Sequence, residues 1–361
     1  MAWPYEKALT KLGELVADGI GGAFSPKQIR RVGEAKVDAQ RDEMLMIAQT
    51  EQQIADIKAG KLQYTEERKL IAVAPEAGAQ QLVEVQQGNR VEPYLNLENL
   101  DKQVQSRKQI QAMQEEVNLT KTVLLAEQEI ESGNYEANDE PVDPDWFTRW
   151  RDNAEKVSND YLQSLWAKVL AGEVTTPGSY SLRTLDLLKC LSKREAELIS
   201  KLGGFIVDNR VVRGLTRHST TKVDQFLEGK GFHFNNLLYL QELGVISGVD
   251  SVGLNSTFGS VDAKKYIRAF TPNNTKGLVI QHEDANKKLI VSVFLVSEMG
   301  REIFALADFE PDEEYLEIIG EEIAAAGFDV LLGDWQQVDT TSGNLLNGRA
   351  IKPKKDSKQP S

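Results

Sequence analysis

Cysteine occurs once in this 361-residue chain, at Cys190, and histidine three times, at His218, His233 and His282. A lone thiol excludes an internal disulfide and any site built on several cysteines, and the scattered histidines have no second ligand at metal spacing. No apolar run approaches the ~18 to 20 residues that a membrane span needs, and the start M-A-W-P-Y-E-K-A-L-T carries no signal-peptide core. Basic residues are outnumbered, 42 against 55 acidic ones, for a net charge of −13. That balance argues against binding nucleic acid over the whole surface, because such binding is driven by Lys and Arg displacing counterions from phosphates. The chain lacks G-x-S-x-G, G-x-x-x-x-G-K-[ST] and H-E-x-x-H, and G-I-G-G at Gly19–Gly22 follows no strand, so it reads as a helix end. The expectation is a cytoplasmic protein that is not an enzyme and has no cofactor or metal. Cys190, inside L-D-L-L-K-C-L, is expected as a buried small hydrophobe and His233 as a satisfied core or edge residue.

What is present is mostly helix. Between Tyr5 and Phe24, Ala8, Leu12, Leu15, Val16, Gly19 and Ile20 share one helical face. The opposite face mixes Glu6, Lys7, Lys11, Glu14 and Asp18, which suits docking on the protein itself better than a membrane surface. S-P-K-Q-I-R-R starts a second helix, with Ser25 as N-cap and Pro26 at the first position, running to Lys58. The Pro- and Gly-containing stretch 72–96 interrupts it, and a further helix runs from about Leu97 to Ile130. There Ile110, Met113, Val117 and Leu124 form a candidate assembly seam, beside a parallel row at Leu119, Val123, Ala126 and Ile130. A coiled coil or bundle between chains and an antiparallel pairing within one chain are equally compatible. Residues 1–131 thus read as a long helical assembly region and 132–145 as an acidic linker.

Residues 146–222 read as a block of short helices anchored on tryptophan. Trp146, Phe147, Trp150, Ala154 and Val157 make one face; Ser158 caps the next helix, and Leu162, Leu165, Trp166, Val169 and Leu170 line it before Gly172 ends it. Ser181 caps a third helix, and Ser192 with Glu195 has capping-box spacing. The tryptophans read as core. Arg183, Lys189, Arg194, Arg210, Arg213 and Arg217 are the candidate polyanion-binding residues, although ordinary solvated faces produce the same count. Residues 223–340 read as an α+β module: a helix closing on Gly244, a hairpin of strands around Leu278–Ile280 and Leu289–Val296, a helix capped by Ser297, a helix from Asp312 to Ala326, and a closing strand in G-F-D-V-L-L. The order resembles winged-helix domains, but the first helix offers Gln241 and Glu242 where a groove-reading helix needs basic residues. Residues 341–361 are expected as a disordered basic tail. The fold class is therefore mainly α with a small α+β module.

The string W-A-K-V-L-A-G-E-V-T-T-P-G-S-Y-S-L-R-T-L with L-S-K-R-E-A-E-L, preceded by D-E-P-V-D-P-D-W, resembles a bacterial family catalogued only as a domain of unknown function. I-G-G-A-F-S-P-K-Q-I-R-R, L-Q-E-L-G-V-I and V-S-E-M-G-R-E-I resemble it as well. More distantly, the order is similar to the Abi-alpha group of abortive-infection proteins, which implies a part in defence against phage. No catalytic residue comes with either resemblance. The expected function is a self-associating protein, a homo-oligomer that binds a protein partner; the alternatives are a nucleic-acid-binding regulator using residues 183–222 and a membrane-acting, toxin-like effector using residues 5–24.

Overall fold

Proline-free runs rich in Ala, Glu, Gln, Leu and Lys favour helix, and helix dominates the first half of the chain. The computed structural model describes residues 5–20, 34–64, 70–72, 97–133, 137–215, 221–250, 254–307, 309–339 and 342–353. The expected Ser25 cap and most of the 72–96 interruption lie outside the described residues. The fold is mainly α with small antiparallel sheets, and the chain divides into two compact units, Met1–Tyr180 and Ser181–Ser361. That division cuts through the block expected at 146–222.

The first unit contains α1 (Glu6–Ile20), α2 (Glu34–Lys58), a short antiparallel pair β1 (Leu62–Tyr64) and β2 (Leu70–Ala72), α3 (Leu97–Gly133), α4 (Pro144–Ala154) and α5 (Asp160–Thr175). Helix α3 packs against α5 most extensively, and also against α1, α2 and α4. From Val117 to Ile130 its apolar positions are buried except half-buried Leu125, and so are Ala8, Leu12 and Val16 of α1. The Ala8, Leu12 and Val16 part of the apolar face of α1 is therefore covered inside the unit. Trp146, Phe147, Trp150 and Trp166 are core, as their spacing predicts. The acidic segment before α4 is docked: Asn138 N–H donates to Thr175 O at 2.8 Å, Val142 is buried, and Asp143 caps α4 through Asp145 N–H at 2.7 Å.

Two local expectations change here. The cap of α5 is Asn159, whose side chain accepts from Leu162 N–H at 3.1 Å, and not Ser158. Gly172 does not end α5, which continues to Thr175. A Cβ at Gly172 would lie 2.5 Å from the Tyr180 ring, so glycine is required for that close approach and not as a breaker.

The second unit contains α6 (Leu182–Cys190), α7 (Lys193–Gly203), β3 (Arg210–Gly214), α8 (Lys222–Gly229), α9 (Phe234–Glu242), β4 (Ile246–Ser247), β5 (Leu254–Phe258), β6 (Tyr266–Phe270), β7 (Lys276–His282), β8 (Leu289–Val296), α10 (Glu298–Phe304), α11 (Glu313–Ala325), β9 (Asp329–Gln337) and β10 (Gly343–Ile351). Ser181, Ser192 and Ser297 cap α6, α7 and α10, and Ser192 with Glu195 closes the capping box.

The expected hairpin between β7 and β8 does not form. β8 is the centre of one antiparallel sheet, with β3 along one edge and β5 and β4 along the other. β7 belongs to a second antiparallel sheet, ordered β10-β9-β7-β6. The residues of β8 are buried almost continuously, the pattern of a strand enclosed on both faces and not of half a surface hairpin. Helix α11 packs on strands of both sheets: the Tyr315 hydroxyl donates to Val212 O of β3 at 2.7 Å, and Gly320 leaves room for Ile351 of β10.

Three further expectations are corrected. The tail expected to be disordered supplies β10, antiparallel to β9 from Gly343 to Ile351, and Ile351 is buried. Its Lys-rich end from residue 354 lies outside the described residues. Cys190 is exposed, because α6 buries Thr184, Leu185 and Leu188 and the thiol lies off that stripe. His233 is also exposed, at the N-cap of α9 with no side-chain cap bond.

Candidate functional site

The expected seam on α3 is divided by the fold. Val117 and Leu124 are buried within the chain, while Ile110 and Met113 are only half-buried. Ile110 lines a polar hollow of about 540 Å³ whose walls include Lys58, Arg107, Glu115, Glu155 and Lys156. Beside it, Glu116 has a buried carboxylate oxygen without a hydrogen-bond partner. Burial, and then the nearby Glu155 carboxylate, push the Glu116 pKa up.

The exposed apolar surface of this unit lies on α2 instead. Met44, Leu45 and Met46 are consecutive and 60%, 51% and 55% exposed. Met44 lines an apolar cleft of about 350 Å³ formed by α2, α3 and α5, with Ile47, Ala48, Leu124 and Leu125 also in its walls, and Leu45 and Met46 follow it on the helix outside the cleft. An ion pair between Glu51 and Lys121 stands at its polar side, and Gln163, itself buried, is held by a 2.8 Å bond to Val157 O. Exposed Tyr161 is on the neighbouring α5. Sequence pattern missed this face because α2 has no sustained apolar stripe: its methionines fall in one short apolar run, M-L-M-I-A, that forms no heptad.

The candidate polyanion-binding residues do not act as one free set. Arg183, Lys189 and Arg194 are exposed on α6 and α7. Arg213 on β3 is committed to Asp224, with a two-pronged contact at 2.9 and 3.3 Å, and its guanidinium lies 4.6 Å from the Phe294 ring. Arg210 donates to Ser256 Oγ and Asp208 O. Arg217 lies outside the described residues. Among the described residues no group of three or more His, Cys, Asp or Glu side chains is placed to hold a metal ion, and no helix is long and apolar enough to cross a membrane.

The strings that carry the family resemblance prove to be joints. In the first unit, Glu173 is buried, and its carboxylate accepts the N–H groups of Gly178 and Tyr180 at 2.7 and 3.1 Å; Trp146 donates its indole N–H to Tyr180 O at 2.7 Å. These bonds fold P-G-S-Y back onto α5, where Gly172 admits the Tyr180 ring. In the second unit, Glu302 of V-S-E-M-G-R-E-I accepts from the Ser181 N–H at 2.7 Å, the Ser181 hydroxyl at 3.0 Å and the Thr184 hydroxyl. Ser297 N–H donates to Val245 O at 3.0 Å, and its hydroxyl donates to Gly244 O, which ties the same stretch to L-Q-E-L-G-V-I.

A family model described as "Protein of unknown function (DUF2806)" matches residues 102–320. The match contains the central string and both of the later stretches, and leaves I-G-G-A-F-S-P-K-Q-I-R-R outside it. No curated protein and no solved structure matches the chain.

Proposed function

The chain belongs to the DUF2806 family, and from that premise we propose that it is a non-enzymatic cytoplasmic protein that self-associates through its helical first unit. The observation that carries this reading is the exposed Met44–Met46 segment beside the apolar cleft. An apolar patch that a fold leaves uncovered next to a concavity marks a surface for another molecule, and methionine adapts to an irregular partner at little cost. The assembly face accordingly moves from the α3 seam, whose Val117 is covered and whose Leu124 only contributes to the cleft wall, to α2 and the rim of the cleft. A second copy presents the same segment, so a two-fold arrangement could place the methionines of one copy in the cleft of the other. The family strings support the binding role over a catalytic one, because Glu173 and Glu302 are engaged in closing turns and helix starts. The part in phage defence belongs to this proposal as its setting, supported by the Abi-alpha resemblance alone.

Light scattering on the size-fractionated full chain, compared with the Met44→Asp/Met46→Asp variant, tests the reading. An assembled wild type and a monomeric, folded variant support it. A wild type with the mass of one chain, or a variant that assembles as the wild type does, overturns it.

A further inference from the structure

Arg268 sits at the centre of β6, the edge strand of its sheet, on the same pleat face as Tyr266 and Phe270, both of which are buried. Its cross-strand neighbour is the buried Ile280. An arginine directed into such surroundings normally finds an acceptor, yet Arg268 Nε is sheltered from solvent and has no hydrogen-bond partner. Its guanidinium carbon lies 5.2 Å from the centroid of the Phe258 ring, and that of Arg210 lies 5.2 Å from the same ring. Arg210 is held in place by donation to Ser256 Oγ at 2.9 Å and to Asp208 O at 2.5 Å. The turn that precedes it is fixed by Asp208 and Asn209, both in the left-handed region at φ 47° and 60°, with paired bonds between Val207 and Arg210.

Charge at this point is unbalanced. The carboxylate that acts electrostatically with both arginines is Asp208, which accepts from Thr271 N–H at 3.2 Å. Burial raises its pKa in spite of that bond and of the two guanidinium groups, so its own charge is disfavoured. Among the described residues, the carboxylate that faces both guanidinium groups is therefore one whose ionisation burial disfavours. The aromatic ring occupies a guanidinium's face and leaves the N–H edge for an acceptor in its plane.

We propose that Arg268, whose guanidinium shares the Phe258 ring with that of Arg210, binds a phosphate group. The guanidinium fork matches two phosphate oxygens, the excess positive charge favours an anion over a neutral ligand, and the Ser256 hydroxyl, which accepts from Arg210, keeps its proton to donate. The site is independent of the assembly face and lies wholly in the second unit. An inward charge on an edge strand also discourages pairing with another sheet. That role alone predicts association of Arg268 variants and no response to anions.

The test titrates the full chain with inorganic phosphate, with acetate and with chloride at matched ionic strength, reading phosphorus-31 line width and thermal midpoint. Phosphate should bind saturably, and binding should be weakened about ten-fold in Arg268→Lys, which keeps the charge and loses the fork. It should be lost in Arg268→Gln and weakened in Arg210→Lys. Should the Arg268 variants fail to fold, wild-type line width and Arg210→Lys decide. No saturable response to phosphate in the wild type, or an undiminished one in folded Arg268→Gln or in Arg210→Lys, overturns the proposal. Acetate acting as strongly as phosphate overturns the phosphate assignment in favour of a carboxylate ligand.

Discussion

Trp150 donates its indole N–H to the carbonyl oxygen of Trp166 at 3.0 Å, and both side chains are closed to solvent. The bond ties α4 to the middle of α5, while the Phe147 ring stacks 5.6 Å from Trp150. Trp150→Phe keeps an aromatic ring and removes the donor, so a loss of about 1 to 2 kcal/mol is expected. Trp150→Ala also opens a cavity and should cost roughly 3 to 5 kcal/mol. Urea unfolding of the full chain measures both, and equal losses in the two variants would show that the ring's volume contributes nothing.

Gly300 is the second crowded joint. A Cβ there would lie 2.1 Å from Val245 O and 2.9 Å from Val296 Cγ1. Backbone on one side and a packed valine on the other leave no flexible atom to yield, so Gly300→Ala should destabilise by roughly 1 to 3 kcal/mol despite its higher helix propensity. Gly259, where an added Cβ meets nothing within 4 Å, provides the control. Thermal melts in which both alanine variants behave alike would contradict the close approach.

How much of this was legible in the sequence depended on whether the deciding contact was local. The Ser181, Ser192 and Ser297 caps and the tryptophan faces follow from residues a few positions apart. Gly172 misled because the ring it admits, Tyr180, lies eight residues on, across a turn. The strands at Leu278–Ile280 and Leu289–Val296 were readable as strands, but their partners were not, since β8 pairs with β3 and β5 through long-range closure. Of the candidate site, Arg210 was identified from a local count of basic residues. Arg268 lies 58 positions further on and joins it only through Phe258.

The final strand bears on the corrected tail. Ile351 is 9% exposed and meets Gly320 of α11, whereas Leu346 on the same strand is 47% exposed. Ile351→Ala should therefore cost about 2 kcal/mol or more, and Leu346→Ala close to nothing. A disordered tail predicts no cost at either position. Chemical denaturation of the two variants distinguishes these outcomes.

The last prediction concerns Glu116, whose Oε1 is buried without a partner near Glu155. Burial first, and the neighbouring carboxylate second, raise its pKa in the folded state above the ordinary 4.5. Between 4.5 and the raised value the folded chain holds more proton than the unfolded chain, so this group's contribution to stability falls as pH rises through that window. Above the raised value the folded state bears the penalty of an ionised, incompletely solvated carboxylate. Glu116→Gln removes the charge at nearly constant shape and should stabilise the protein at neutral pH, by a margin that solvent screening of the half-buried carboxyl keeps small. Below pH 4.5 the wild-type carboxyl is mainly protonated in both states, and the advantage should shrink toward zero. Urea midpoints for the two proteins at neutral pH and below 4.5 check the sign. A variant less stable than the wild type at neutral pH would mean that the carboxylate has found a favourable partner in the polar hollow lined by Lys58, Arg107 and Lys156.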